Sequence, residues 1–154
     1  MRTGIPTYRL PREALDRDIE RILSLGIETR LESRIDQARL EQLTHEFDAV
    51  LAATGLQRLS SIDLGLDLGS GQNRVMQGIE FLDLARRGEM DVSGEDVVVV
   101  GGGNTAIDAA RSAFRLGAAK VRIIYRRTRN EMPAIAEEVE DAIDEGIEID
   151  FLVS

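Results

Sequence analysis

The run Val97-Val98-Val99-Val100-Gly101-Gly102-Gly103-Asn104-Thr105-Ala106 joins an apolar stretch to a glycine turn spaced G-x-G-x-x-A. A strand that ends this way and opens into a helix is suited to holding a dinucleotide pyrophosphate. Gly101 permits the tight turn, Gly103 lets the backbone approach phosphate oxygens, and the small Ala106 lets the new helix pack on the strand. Unpaired amides at the helix start, together with the positive end of its dipole, face the anion. Gly101, Gly102, Gly103, Asn104, Thr105 and Ala106 are therefore the candidate pyrophosphate contacts.

The elements that would position this turn can be read on either side of it. Four valines suit a strand buried on both faces of a parallel sheet. The following helix carries Ile107, Ala110 and Phe114 on one stripe, with Asp108, Arg111 and Arg115 turned away and Gly117 as its stop. Val121, Ile123, Ile124 and Tyr125 supply a second strand. A further helix is expected from Pro133 to Gly146, with Ile135, Val139, Ala142 and Ile143 buried; Ile147 to Val153 then alternates as an edge strand with one wetter face. Residues from about 95 onward thus predict β-α-β-α-β, one half of a doubly wound nucleotide-binding unit. The fold class is α/β, a Rossmann-like three-layer parallel-sheet unit of the FAD/NAD(P)-binding type, incomplete in this chain.

Tyr125 is followed by Arg126, Arg127, Thr128 and Arg129, where NAD-binding units place an acid on the ribose 2′-hydroxyl. Guanidinium groups there can grip a 2′-phosphate bidentately, which favours NADPH over NADH. The net charge is −9, and the stretch from Asn130 to Ser154 holds nine acids with no Lys or Arg. The arginine cluster is therefore local, and no basic stripe with aromatic platforms offers a nucleic-acid surface. The acids are expected to form a solvated helix face.

On the N-terminal side, Pro11 to Leu25 predicts a helix with Leu15, Ile19, Ile22 and Leu23 on one stripe, closed by Gly26. Ile27 to Leu31 predicts a short strand, a polar helix runs through Leu40 and Leu43, and Phe47 to Ala53 predicts a buried strand ending at Thr54-Gly55. Leu56 to Asn73 reads as an irregular linker, and Gln77 to Arg87 as a helix that Gly88 ends. With no cysteine and a single histidine, His45, thiolate chemistry is absent and a metal site is not expected. No apolar run reaches membrane-spanning length and no signal-peptide core is present, so a cytoplasmic protein with no membrane partner is expected.

Four motifs occur in order: Gly4-Ile5-Pro6-Thr7-Tyr8-Arg9-Leu10-Pro11; Phe47-Asp48-Ala49-Val50 with Ala53-Thr54-Gly55; Gly101 to Ala110; and Tyr125-Arg126-Arg127-Thr128-Arg129-Asn130-Glu131-Met132-Pro133. Together they resemble the central part of the glutamate synthase small (beta) subunit family of NADPH/FAD oxidoreductases, which includes the flavin module of dihydropyrimidine dehydrogenase. The resemblance implies an NADPH-binding domain inserted into an FAD-binding domain. Residues 1–57 would then be part of the FAD-binding domain, 58–90 a linker and helix, and 91–154 the NADPH-binding half.

It also implies a relay in which NADPH delivers hydride to FAD and electrons pass through iron-sulfur clusters to a partner subunit. Carried over by position, Gly102, Gly103, Asn104 and Thr105 would meet the pyrophosphate, and Arg126 and Arg127 the 2′-phosphate. Thr54, Gly55 and the 4–11 segment would lie on the flavin side; Arg129 is added on charge alone. The family's N-terminal FAD fingerprint, cluster cysteines and returning C-terminal segment are missing from this chain. The chain is thus expected to be a fragment that binds NADPH and does not catalyse alone, with FAD belonging to the full-length parent. The alternative is a non-catalytic nucleotide-binding or interaction module. An incomplete sheet exposes an edge, so pairing into a homodimer is a further expectation.

Overall fold

The computed structural model describes residues 4–55 and 75–153. The expected linker from Leu56 to Asn73 lies outside the described residues. In chain order the elements are α1 (Arg12–Leu23), α2 (Gln37–Glu46), α3 (Gly78–Arg87), β1 (Asp96–Val100), α4 (Asn104–Arg115), β2 (Lys120–Tyr125), α5 (Ala136–Asp144) and β3 (Glu148–Phe151), with a 3-10 turn at Arg129–Glu131. The chain divides into two compact units: Met1–Arg12 with Gly65–Ser154, and Glu13–Leu64.

In the larger unit the strands form a parallel sheet in the order β1-β2-β3, with Val97 opposite Val121, Val99 opposite Ile123, and Ile123 opposite Ile149. This is the expected β-α-β-α-β succession, and β3 lies at an edge. Helix α4 packs on β1 and β2, flanked by α3 and α5. The core gathers Phe81, Leu82, Ile107, Ala110, Ala113, Val121, Ile123, Val139 and Ala142 between these helices and one sheet face. Ile107 and Ile123 are fully buried, and each contributes roughly 1.5–3 kcal/mol through the apolar surface it removes from water.

The valines of β1 are not buried on both faces as expected. They alternate, and Val98 and Val100 are 56% and 54% exposed. Successive strand side chains point to opposite faces, and among the described residues the helices cover one of them. Helix α4 departs from its expected stripe as well. Asp108 and Arg111 are buried and Phe114 is 42% exposed, because α4 is covered by α3, α5 and residues 4–12 in addition to the sheet. On α5, Val139 and Ala142 are buried, whereas Ile135 and Ile143 are exposed and the helix begins at Ala136, three residues beyond Pro133. Left-handed backbone at Gly88 and Gly117 ends α3 and α4 where turns were expected.

In the smaller unit α1 and α2 form where the periodicity places them, and Gly26 turns the chain with a positive φ after α1. None of the residues of α1 and α2 is fully buried; Ile22 and Leu23 are exposed. The strands expected at Ile27 to Leu31 and Phe47 to Ala53 are absent: Leu31 and Leu51 are 86% and 90% exposed. A strand needs a partner to satisfy its amides and carbonyls. The sheet found among the described residues consists of β1, β2 and β3 alone.

Candidate nucleotide site

The glycine turn occupies the C-terminal end of β1, and the Gly101 amide donates to the Ile124 carbonyl at 3.0 Å. That bond ties the turn to the end of β2, so the segment starting at Tyr125 runs beside it. Carboxyl ends of parallel strands are where open α/β sheets place ligands.

The three glycines are required for three different reasons. Gly101 has φ +141, a conformation a side chain rarely adopts, and a Cβ there would face the Ala106 Cβ at 3.6 Å. Gly102 is pressed by Tyr125, since a Cβ would lie 2.5 Å from a ring carbon. The Tyr125 hydroxyl donates to the Glu131 carbonyl at 2.8 Å, which keeps the ring from swinging away. Gly103 is extended at φ −92 and ψ 172, and a Cβ there meets nothing within 4 Å. The demand for glycine at position 103 therefore does not arise from the described protein atoms.

Asn104 and Thr105 open α4, and the first intrahelical donors are Ala106 and Ile107, both to the Gly103 carbonyl. The amides of Gly103, Asn104 and Thr105 remain available, as at any helix start. The Asn104 side chain is partly committed, its Oδ1 accepting from the Ile135 amide at 2.9 Å. With the Ala134 amide donating to the Gly102 carbonyl at 3.1 Å, this ties the 128–135 loop to the turn. Thr128 and Glu131 close a capping box within that loop; the hydrogen bonds from Thr128 hold the Glu131 carboxyl below the usual range.

Arg126 and Arg127 are exposed just past β2, and neither side chain makes an ion pair or hydrogen bond among the described residues. Arg129 is committed elsewhere, pairing with Glu140 at 3.3 Å on the surface. Thr54 and Gly55 belong to the smaller unit. His45 is exposed on α2, and among the described residues no group of His, Cys, Asp or Glu is placed to hold a metal ion.

Behind the turn lies a charge network that the helical pattern did not reveal. Arg9 Nη1 donates to Asp108 Oδ2 at 2.9 Å and Arg9 Nε to Glu138 Oε1 at 3.1 Å. Arg111 donates to Glu138 at 2.6 Å and to Glu145 at 2.7 Å, and Arg115 bonds Glu145 at 2.6 Å. The Arg115 and Arg111 guanidiniums lie 4.0 and 5.0 Å from the centre of the Tyr8 ring. Burial and the neighbouring Asp108 charge push the Tyr8 hydroxyl up to about 12. Burial raises the Asp108 carboxyl against the pull of Arg9, whereas at Glu145 the arginine hydrogen bonds outweigh burial and lower it. Glu138 and Glu145 are thus not part of the solvated acidic face expected from the sequence. The signal that could have exposed this is the Asp108/Arg111/Arg115 spacing, which puts three charges on one helical face.

Gly102→Ala is expected to destabilise the larger unit by about 1–3 kcal/mol through overpacking against Tyr125, checked by urea denaturation.

The family described as pyridine nucleotide-disulphide oxidoreductase matches residues 11–153. The chain is 47% identical, over 98% of its length, to the NADP(+)-dependent formate dehydrogenase subunit beta of Moorella thermoacetica. It is 45% identical, over 97% of its length, to the NADPH-Fe(3+) oxidoreductase subunit beta of Geobacter sulfurreducens. Each alignment covers 22% of the relative, so the chain spans under a quarter of their length. Similarity to the glutamate synthase [NADPH] small chain of Azospirillum brasilense is 33% over 94% of the chain and 32% of that protein. Among the described residues no helix is long and apolar enough to cross a membrane. With the family match spanning both compact units and a parallel α/β sheet carrying the glycine turn, this chain belongs to the pyridine nucleotide-disulphide oxidoreductase family.

Proposed function

We propose that this chain is the NADPH-binding portion of a flavin-dependent oxidoreductase. The observation that carries this reading is the open Gly103 position beside two unpaired arginines at the carboxyl end of the sheet. A pyrophosphate on the amides of Gly103, Asn104 and Thr105 would meet the positive end of α4. Arg126 and Arg127 are placed in sequence and space to take a 2′-phosphate; Gly101, Gly102 and Ala106 shape the turn. Arg129 sits at the rim of the same loop, and its exposed pair with Glu140 is weak enough to exchange for a phosphate.

When bound, NADPH supplies a hydride for an FAD held elsewhere in the parent protein, from which electrons pass to iron-sulfur clusters or a partner subunit. In this division residues 1–57, including Thr54 and Gly55, are part of the FAD-binding domain, 58–90 a linker and helix, and 91–154 the NADPH-binding half. The relatives named as NADPH-dependent oxidoreductase subunits support the nicotinamide assignment. The isolated chain binds NADPH without turning it over, in a cytoplasmic parent, and a second copy can pair at an open sheet edge.

Calorimetric titration with NADPH and NADH tests this reading. Selective NADPH binding is expected, and replacing Arg126 and Arg127 with alanine should remove about tenfold or more of that selectivity, the loss of charge-assisted phosphate contacts. Equal binding of both nucleotides, or binding of neither, contradicts it.

A further inference from the structure

We propose that Arg9 is an electrostatic positioning residue for the nucleotide site, because its guanidinium neutralises Asp108, a buried carboxylate one helical turn behind the amides offered to the pyrophosphate. This rests on the NADPH reading above. Asp108 follows Asn104 by four residues, roughly 6 Å along the axis of α4. Its side chain is 6% exposed; Oδ2 is bound by Arg9, and Oδ1 is buried without a hydrogen-bond partner. Asp108 is faced by Arg9 and Tyr8 from the N-terminal segment, by Glu138 from α5 and by Arg111 on its own helix. Arg111 does not replace Arg9, since its ion pairs go to Glu138, Asp141 and Glu145. Among the described residues Arg9 is thus the one cation paired directly with Asp108.

The N-terminal segment is shaped to deliver that charge. Arg9 and Leu10 amides both donate to the Pro6 carbonyl, making a turn, yet among the described residues no backbone hydrogen bond joins the segment to α4 or α5. The side chains of Tyr8 and Arg9 contribute the polar attachment. Removing the guanidinium leaves Asp108 and Glu138 facing each other in a poorly screened environment, and their field opposes an anion at the start of α4.

NADPH titration of the whole chain at several pH values tests the proposal. Arg9→Gln is expected to bind on the order of tenfold more weakly at mildly alkaline pH, an effect of one weakly screened charge. The loss should shrink as pH falls, because Asp108 without its partner takes up a proton. Adding Asp108→Asn to that variant should restore affinity, and Arg9→Lys, which keeps the charge, should recover most of it. Should Arg9→Gln prove too unstable to titrate, Asp108→Asn alone decides, with equal or tighter binding in support and weaker binding against. Unchanged affinity in Arg9→Gln, or a double variant as weak as the single one, overturns the proposal while leaving the nucleotide site in place. Absence of NADPH binding by the unsubstituted chain removes both.

Discussion

Arg111→Ala is expected to lower the unfolding free energy of the larger unit by about 3 kcal/mol, the effect of removing one partner from a buried ion pair. The Arg111 side chain is 8% exposed, Nε donates to both Glu145 oxygens at 3.1 and 3.2 Å, and its terminal nitrogens reach Glu138, Asp141 and Glu145. Two of those carboxylates are about a fifth exposed, Glu138 at 19% and Glu145 at 22%, so water cannot take over from the guanidinium. Arg9 and Arg115 keep one hold each on Glu138 and Glu145, which places the loss at the low end of what buried pairs show. Urea midpoints at neutral pH measure it; a change under about 1 kcal/mol would mean the network behaves as an exposed one. The difference from the parent should narrow in acid. Glu145 is held below its ordinary value, so its contribution is present above the unfolded carboxylate pKa and disappears as pH falls through the folded one.

Gly103→Ala should leave stability within about 1 kcal/mol, because the extended backbone at that position accepts a side chain and a Cβ meets no atom within 4 Å. Its effect should fall on the ligand. A methyl group aimed where the pyrophosphate approaches the backbone displaces it by about 1 Å, expected to weaken NADPH binding on the order of 100-fold. Calorimetry alongside thermal unfolding separates the two quantities. Retained affinity would show that the glycine at 103 does not serve a ligand. The neighbouring Gly102→Ala should behave in the opposite way, losing stability first, because its constraint comes from the Tyr125 ring.

The contrast between those two glycines shows how far the pattern alone could reach. G-x-G-x-x-A identified the turn and its ends, since each step rests on local backbone geometry. The middle glycine carried no local signal; its reason lies in a ring on the next strand, fastened by a loop six residues further on. Helix α4 makes the same point. Its boundaries and its Ile107/Ala110 stripe follow from helical period, but that period assumes one buried face. Three neighbours surround this helix, so Asp108 and Arg111 are buried and Phe114 is left exposed. The four valines erred in the other direction, promising two covered faces where the described residues cover one.

The misplaced strands at 27–31 and 47–53 have a related cause. β-branched and aromatic residues specify a surface that fits a sheet, not the presence of a sheet to join. Helices α1 and α2 form from local hydrogen bonds and caps, such as Asp36 accepting from the Arg39 amide, and so were legible without any partner.

Residue order by itself determined the β-α-β-α-β succession, the glycine turn, the arginines after the second strand and the family resemblance, because these rest on period, spacing and backbone constraint within a few residues. Tertiary structure alone decided which charges are buried. Arg9 meets Asp108 across 99 positions of chain and Arg111 meets Glu145 across 34. A charge at such a site is tolerated only when its partner arrives from another element, and no local pattern announces that partner.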